Sequence, residues 1–209
     1  MAERPSWTIK NDSVTCEFFE FAWNGGFATS QKKKNVRALH ESVKNRYGET
    51  ALEVSTKSDE DLGNKLSAFN LTLDGHLLEC IFQSSKTYRN GGPYLDLLTA
   101  KPKDAKRDER HKTSGGITGF KYDGYTWPLM PKTAFYDYIY IQAVIEAFGK
   151  NLDLTQYQWF TDIEFNPNRS INCQARAIAI YKLIQKLDRF DVLDDKDAWI
   201  AFHKSHVIG

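Results

Sequence analysis

Apolar, β-branched and aromatic residues gather in short segments that are typical of β-strands. Residues 14–23 (VTCEFFEFAW) alternate in part between apolar and polar positions, and Asn24-Gly25-Gly26 ends this segment. Residues 117–122 and 125–129 flank Asp123-Gly124, which predicts a hairpin with a two-residue turn. Two more segments of strand character are residues 51–56 and residues 66–73, the second ending at the turn sequence Asp74-Gly75.

Helical spacing of apolar residues predicts three longer helices. Over residues 132–148, an apolar stripe is formed by Phe135, Ile139, Ala143 and Ile145. Ser30 and Ser170 are typical N-cap residues, and they predict helices that run to about residues 46 and 187. Shorter helices are predicted over residues 59–65, 78–88 and 101–112, and a last amphipathic segment contains Trp199 and Phe202.

The chain has 209 residues, which is enough for one sizeable hydrophobic core. It contains no internal repeat, no low-complexity tract and no long linker. Predicted helices outweigh predicted strands. We therefore expect a single α+β domain over residues 1–209, dominated by helices and completed by short strands and a β-hairpin.

Charge is balanced over the chain but uneven along it. The 28 Lys and Arg residues face 27 Asp and Glu residues, a formal net charge of +1. This balance excludes a protein that coats nucleic acid through its overall charge. Basic residues concentrate at 32–46 and 101–112 and acidic residues at 188–197, so any contact with an anion is local. Aromatic residues make up 13%, and they suit either a core or stacking on bases.

Cysteine and histidine usage indicates neither a metal site nor a disulfide framework. Cys16, Cys80 and Cys173 are far apart, and the five histidines are scattered. The signatures GxGxxG, GxxxxGK[ST], HExxH and GxSxG do not occur, so no cofactor is predicted. The first residues are polar, and no apolar run approaches about 18 residues. We therefore expect a cytoplasmic protein with no membrane partner.

A polar face on the predicted helix over residues 78–88 is the first candidate site. Glu79, Gln83 and Lys86 follow one another at i, i+4 and i+7, in a segment that is otherwise apolar. Partial burial raises the pKa of a carboxyl group and lowers that of an amine, which suits acid–base or Schiff-base chemistry. A plain amphipathic helix explains the same spacing.

Two further places carry polar or aromatic groups that suit a binding site. Asp162 lies in an aromatic stretch, and Asn172 and Arg176 lie at the predicted start of a helix, where an anion can bind. Turn and capping chemistry is the alternative for these residues. Trp127 lies in the predicted hairpin, and its alternative is simple core packing.

Taken in order, these places resemble the NADAR family, named for NAD and ADP-ribose. The family pattern is a short S-N-F element, E-H-x-x-Q-x-x-K on a helix, a later Trp, and an acidic-aromatic stretch before an Asn-containing helix. Residues 66–69, Trp127, Asp162 and Asn172 match around the central Glu79, Gln83 and Lys86. The family core is thus expected over about residues 66–187, with an elaboration at 1–65 and an acidic stretch and short helix at 188–209.

Departures from the family pattern point to one branch. Ala68 replaces the Asn of S-N-F, with Asn70 two residues later, and Cys80 replaces the His after the Glu. Other segments of the sequence, such as CIFQSSK, WPLMPKTAFYDY and FTDIEFNPNRSINCQAR, resemble those of antitoxins encoded beside DarT-type toxins. These toxins attach ADP-ribose to guanine in DNA. On this branch the resemblance runs nearly the full length of the chain.

The resemblance implies an enzyme that removes ADP-ribose from guanine, in DNA or a nucleoside, without a metal or cofactor. It implies Glu79, Lys86 and Asp162 as catalytic residues, and a possible second partner in the cognate toxin; the oligomeric state stays open. The substrate-binding residues that it implies are Ser67, Phe69, Asn70, Gln83, Gly91, Gly92, Arg107, Arg110, Trp127, Asn172 and Arg176.

Three alternatives stay open at this point. Lys86 is either a nucleophile that forms a Schiff base or an electrostatic aid to a water activated by Glu79. The substrate is either modified guanine or a free ribosyl metabolite of the riboflavin-pathway type. A module that binds ADP-ribose or the toxin without catalysis is the third, with the basic helix over residues 31–46 as its partner face.

Overall fold

The structure is a computed structural model that describes residues 1–208. Helices make up 43% of it and strands 20%, which confirms the predicted helix-dominated α+β class. The nine strands are β1 (Ala2–Lys10), β2 (Ser13–Phe21), β3 (Ala51–Glu53), β4 (Thr72–Leu73), β5 (His76–Leu77), β6 (Lys86–Tyr88), β7 (Ile117–Tyr122), β8 (Tyr125–Trp127) and β9 (Trp159–Thr161). The eight α-helices are α1 (Thr29–Tyr47), α2 (Asp61–Lys65), α3 (Leu78–Ser84), α4 (Pro102–Arg107), α5 (Arg110–Thr113), α6 (Ala134–Phe148), α7 (Gln174–Leu187) and α8 (Lys196–His206), with 3-10 helices at Leu95–Thr99 and Phe190–Leu193.

The largest sheet has four strands in the order β2-β1-β9-β3. β1 is antiparallel to β2 and β9, whereas β3 runs parallel to β9. The sequence pattern predicts no strand before residue 14, and this expectation is wrong. β1 lies between two strands, and four consecutive residues, Pro5 to Thr8, are buried, so the strand lacks the alternation that a half-buried strand shows.

The predicted hairpin is confirmed. β7 and β8 pair through Tyr122 and Tyr125, and Asp123 and Gly124 both have positive φ (48° and 75°), as a two-residue hairpin turn requires. β6 joins this hairpin and completes a three-stranded sheet in the order β6-β7-β8. The hairpin therefore brings Trp127 into the same sheet as Lys86.

The predicted helix over residues 78–88 is correct only as far as Ser84. The Ser84 and Ser85 carbonyls accept hydrogen bonds from the Tyr94 and Lys121 nitrogens (2.8 and 2.7 Å), so they do not continue the helix. Both serine hydroxyls donate to the Ile81 carbonyl, which closes the last turn. The chain enters β6 at the next residue, and Lys86 lies on a strand.

Four other predicted boundaries are wrong. Helix α1 follows Ala28 rather than a Ser30 cap, and α7 follows Cys173 rather than a Ser170 cap, so Asn172 precedes that helix. Within residues 66–73 only Thr72–Leu73 is strand, and the chain before it forms hydrogen-bonded turns. The predicted helix over residues 101–112 breaks at Asp108, whose carboxylate accepts a hydrogen bond from the nitrogen of Arg110 (2.9 Å), the first residue of the second helix.

The main core packs α6 and α7 against the rest of the molecule. Ile139, Tyr140, Ile178 and Ile184 are fully buried within it. α6 is apolar on most of its surface, which is typical of a helix enclosed on several sides. This helix carries Tyr136, which lies near both Glu79 and Asp162.

Candidate functional site

Glu79, Gln83 and Lys86 form a continuous chain of hydrogen bonds. The Gln83 amide nitrogen donates to Glu79 Oε1 at 2.8 Å, and the Gln83 amide oxygen accepts from Lys86 Nζ at 2.5 Å. Gln83 is 4% exposed, so the amide that joins the two charged groups is fixed in the protein interior. The structure thus brings the three predicted residues together, although Lys86 lies on β6 rather than on the helix.

The Lys86 amine lies in a partly desolvated position. Burial lowers the pKa of Lys86, the Glu79 carboxylate opposes this effect, and the Lys106 charge adds to it. The amine also lies 4.9 Å from the centre of the Phe82 ring. A lowered pKa increases the fraction of neutral amine, the form that attacks an electrophilic carbon.

Trp127 is connected to Lys86 through strand register but is buried. Lys86 lies opposite Phe120, and Phe120 lies opposite Trp127. The Trp127 side chain is 2% exposed and packs 4.6 Å from the Tyr138 ring. Its indole nitrogen is buried without a hydrogen-bond partner among residues 1–208, so an unpaired donor lies two strands away from Lys86 in the same sheet.

Asp162 follows β9 in a buried position and is 6% exposed. Burial and then the negative charge of Glu53 raise the pKa of Asp162 to about 8. Its Oδ1 accepts a hydrogen bond from the Glu164 nitrogen at 3.0 Å. The carboxyl group is therefore largely protonated at neutral pH, and in that form it can donate a proton or a hydrogen bond.

Tyr136 on α6 interacts electrostatically with both Glu79 and Asp162, and the sequence did not point to it. Burial raises the pKa of its hydroxyl well above the ordinary value, and the charges of Glu79 and Asp162 both contribute. The phenol therefore lies within the electrostatic reach of both carboxyl groups. Its spacing to Tyr140, one helical turn away, was the available signal, but it reads equally as a core stripe.

The turn over residues 66–70 lies against α6 and the start of α7. The Ala68 nitrogen donates to Gln174 Oε1 at 2.7 Å, and the Tyr140 hydroxyl donates to the Leu66 carbonyl at 2.6 Å. Ser67 is fully buried, whereas Phe69 is 56% exposed and Asn70 bonds the Asn64 carbonyl. The turn thus holds one buried hydroxyl and one exposed ring next to the helices that carry Tyr136 and Arg176.

Gly91 and Gly92 lie against the backbone of the Lys86 strand. The Tyr88 nitrogen donates to the Gly91 carbonyl at 2.8 Å. Gly92 has φ of 79°, and a Cβ atom on it would overlap the Lys86 carbonyl oxygen. Glycine at 92 is required because the chain crosses close to Lys86.

The three predicted arginines differ in how far they are engaged. Arg176 is 8% exposed and forms an ion pair with Asp137 (3.1 Å), and its NH1 donates to the Ile171 carbonyl. Arg110 pairs with Asp96 and Asp108 and lies 4.3 Å from the Tyr94 ring centre. Arg107 is exposed at the end of α4, and the neighbouring Lys106 is the cation that acts on Lys86.

Neither a metal cluster nor a membrane-spanning helix occurs among residues 1–208. No group of three His, Cys, Asp or Glu side chains there is arranged to hold a metal ion. None of the helices in that range has both the length and the apolar character needed to cross a bilayer.

The sequence model of the DarT1-associated NADAR antitoxin family matches residues 2–208. The chain belongs to this family. The match confirms the predicted branch and extends over the N-terminal strands and α1, as expected for a resemblance that runs nearly the full length. No curated protein matches the chain. As a NADAR antitoxin, the protein is associated with a DarT1-type toxin.

Proposed function

We propose that this NADAR antitoxin hydrolyses the N-glycosidic bond between ADP-ribose and guanine in modified DNA, and so reverses the action of its DarT-type toxin. The observation that carries the proposal is the hydrogen-bond chain from Glu79 through Gln83 to Lys86. A desolvated amine held near a carboxylate, with a second, protonated carboxyl group in Asp162, supplies a nucleophile and proton carriers.

The reaction begins with the neutral Lys86 amine. Its lone pair attacks the anomeric carbon, the bond to guanine breaks, and the electron pair leaves with the guanine nitrogen, which takes a proton. Loss of a proton from the lysine nitrogen and opening of the ribose ring, with protonation of the ring oxygen, give a Schiff base. Water then adds to the imine carbon and releases ADP-ribose and the free amine. Glu79, two hydrogen bonds from Lys86, accepts and returns protons in these steps.

In the competing mechanism, Glu79 activates a water molecule against an oxocarbenium-like centre, and Lys86 acts only through its charge. The two routes differ in whether a covalent enzyme–ribose adduct forms. Borohydride reduces a Schiff base to a stable amine, so it traps the first route and not the second.

The test incubates the protein with an oligonucleotide that carries ADP-ribosylated guanine, with and without borohydride. We expect release of ADP-ribose, restoration of guanine, and a trapped adduct on Lys86 in mass spectrometry. Lys86→Ala should lose both turnover and adduct, whereas Lys106→Ala, which removes a neighbouring exposed amine, should keep the adduct. Full activity of folded Lys86→Ala would exclude the covalent route.

The same assay separates the alternative functions. Turnover of a free N-ribosylated pyrimidine at a rate above that of modified DNA would assign the protein to metabolite hydrolysis. Binding of ADP-ribose or of the toxin, with no turnover of any glycoside by the wild-type chain, would make it a binding module.

A further inference from the structure

Glu53 and Asp162 are two buried acidic residues at the ends of the paired strands β3 and β9. Glu53 is the last residue of β3 and lies opposite Thr161 in the parallel strand pair. The exposed fractions of Glu53 and Asp162 are 1% and 6%. Burial and then the negative charge of Glu53 raise the pKa of Asp162 to about 8, so Asp162 holds its proton at neutral pH.

Burial raises the pKa of Glu53, and its hydrogen bonds to neighbouring donors oppose this effect. Glu53 Oε2 accepts from the Thr161 hydroxyl at 2.7 Å, and Oε1 accepts from the Ser55 hydroxyl and the Ile163 nitrogen at 2.6 and 2.9 Å. Three donors stabilise the ionised form of Glu53. The Ile163 nitrogen belongs to the peptide bond that follows Asp162, so this carboxylate lies directly against the Asp162 backbone.

His40 is the hydrogen-bond donor to Thr161. His40 Nε2 lies 2.9 Å from the Thr161 hydroxyl oxygen, and because that hydroxyl donates to Glu53, it accepts from His40. Burial lowers the pKa of His40 to about 4, so the ring is neutral at pH 7 and carries its proton on Nε2. The hydrogen bonds from His40 to Thr161 and from Thr161 to Glu53 thus favour the ionised form of Glu53, next to the backbone of Asp162.

We infer that Glu53 is a positioning residue that keeps Asp162 protonated, so that Asp162 is the proton donor to the guanine leaving group. The inference rests on the proposed function. When the glycosidic bond breaks, its electron pair stays on the guanine nitrogen, and Asp162 gives its proton to that nitrogen and becomes a carboxylate. A water proton later restores the acid, so the cycle needs no other reactant.

Other groups facing Asp162 do not change when Glu53 is substituted. They come from its own loop, from β1, from α6 and from the residues that open α7, and they are Glu164, Arg4, Tyr136, Tyr140, Cys173 and Gln174. A comparison of matched variants therefore isolates the charge of Glu53.

The experiment measures the pH dependence of kcat for release of ADP-ribose. In wild type we expect activity to fall as pH rises and Asp162 loses its proton. Glu53→Gln removes the adjacent negative charge, so the alkaline limb of the pH profile of kcat should move to lower pH by about one unit. Asp162→Asn should lower kcat by about 100-fold or more and remove the limb.

Thr161 provides a milder pair of variants. Thr161→Val removes a donor to Glu53 and should move the limb in the same direction as Glu53→Gln, whereas Thr161→Ser keeps the hydroxyl and should match wild type. A uniform loss of kcat with an unmoved limb in folded Glu53→Gln or Thr161→Val would show a merely structural role and overturn the inference.

A titration that needs no substrate separates this inference from the proposed function. The 13C signal of the Asp162 carboxyl group should titrate at lower pH in Glu53→Gln than in wild type. If wild type releases no ADP-ribose from modified guanine but the signal moves as expected, the proposed reaction falls and the assignment of the proton to Asp162 stands. If the signal does not move, the role of Glu53 is refuted.

Discussion

The Lys86 amine donates a hydrogen bond to the Gln83 amide oxygen at 2.5 Å across the junction between a helix and a strand. Gln83 is in the last turn of α3, and Lys86 begins β6. The position of the amine therefore depends on two structures at once: the end of the helix and the pairing of β6 with β7. A change in either one should alter the distance between amine and amide.

Gln83→Leu should reduce catalysis without unfolding the protein. The two side chains are similar in size, but leucine offers neither the donor to Glu79 nor the acceptor for Lys86. Loss of positioning predicts a fall in kcat of about 10- to 100-fold, measured on the modified oligonucleotide. Ser84→Ala is the control, because Ser84 lies on the same helix and its hydroxyl bonds only the Ile81 carbonyl. Equal rates for Gln83→Leu and wild type would contradict this role.

Gly92→Ala should displace Lys86. The added Cβ would overlap the Lys86 carbonyl oxygen, and the residue has a positive φ of 79°. Gly124→Ala is a matched control, because Gly124 has a φ of 75° but open space around its Cβ position. We expect Gly124→Ala to lose about 1 kcal/mol from the strained backbone, and Gly92→Ala to lose more because its Cβ also overlaps a backbone atom, as measured by urea unfolding. Only Gly92→Ala should also have a lower kcat. An equal fall in kcat in both variants would mean that backbone strain alone is responsible.

The sequence predicted that three polar side chains lie close together, but not all of the elements that carry them. Glu79, Gln83 and Lys86 were expected on one helical face, and they do meet, because a helix and the tight turn after it both keep residues three apart close. The strand at Lys86 was not predictable locally, since it forms by pairing with residues 29 to 34 positions away.

Buried polar partners were the least predictable part. Glu53 lies in a short strand of ordinary composition, and its three donors come from β9 and from the residues that follow β3 and β9. Asp137 lies within the apolar stripe of α6, where its pairing with Arg176 depends on the packing of α7. Such contacts follow from tertiary structure, and neither periodicity nor spacing indicates them.

Arg176 should contribute more to stability than to substrate binding. It forms a buried ion pair with Asp137, which His203 also contacts at 2.9 Å. Arg176→Met leaves the Asp137 carboxylate buried without its cation, which should cost about 3–5 kcal/mol of unfolding free energy at pH 7. Arg176→Lys, which keeps the charge, should lose less. A stable Arg176→Met protein with a raised KM would instead place the guanidinium on the substrate.

The same pair predicts a loss of stability in acid. Burial raises the pKa of Asp137, but the Arg176 charge and the His203 contact outweigh burial, and the net pKa lies below its ordinary value. The stabilisation is therefore complete above the unfolded pKa of about 3.9 and disappears as pH falls through the lower folded value. Unfolding free energies of wild type and Asp137→Asn should converge below about pH 4, and curves that stay parallel there would contradict the pairing.

Asp162 predicts the opposite pH dependence. Its folded pKa is raised to about 8, so its contribution to stability is complete below the unfolded pKa of about 3.9 and is lost as pH rises through about 8. Asp162→Asn should therefore gain stability relative to wild type between pH 4 and pH 8, on the order of a few kcal/mol, as measured by urea unfolding. Asp197→Asn, which replaces a side chain that is 84% exposed, serves as the surface control. If the Asp162→Asn difference does not change with pH, the Asp162 carboxyl group is ionised in the folded protein and is not available as a proton donor.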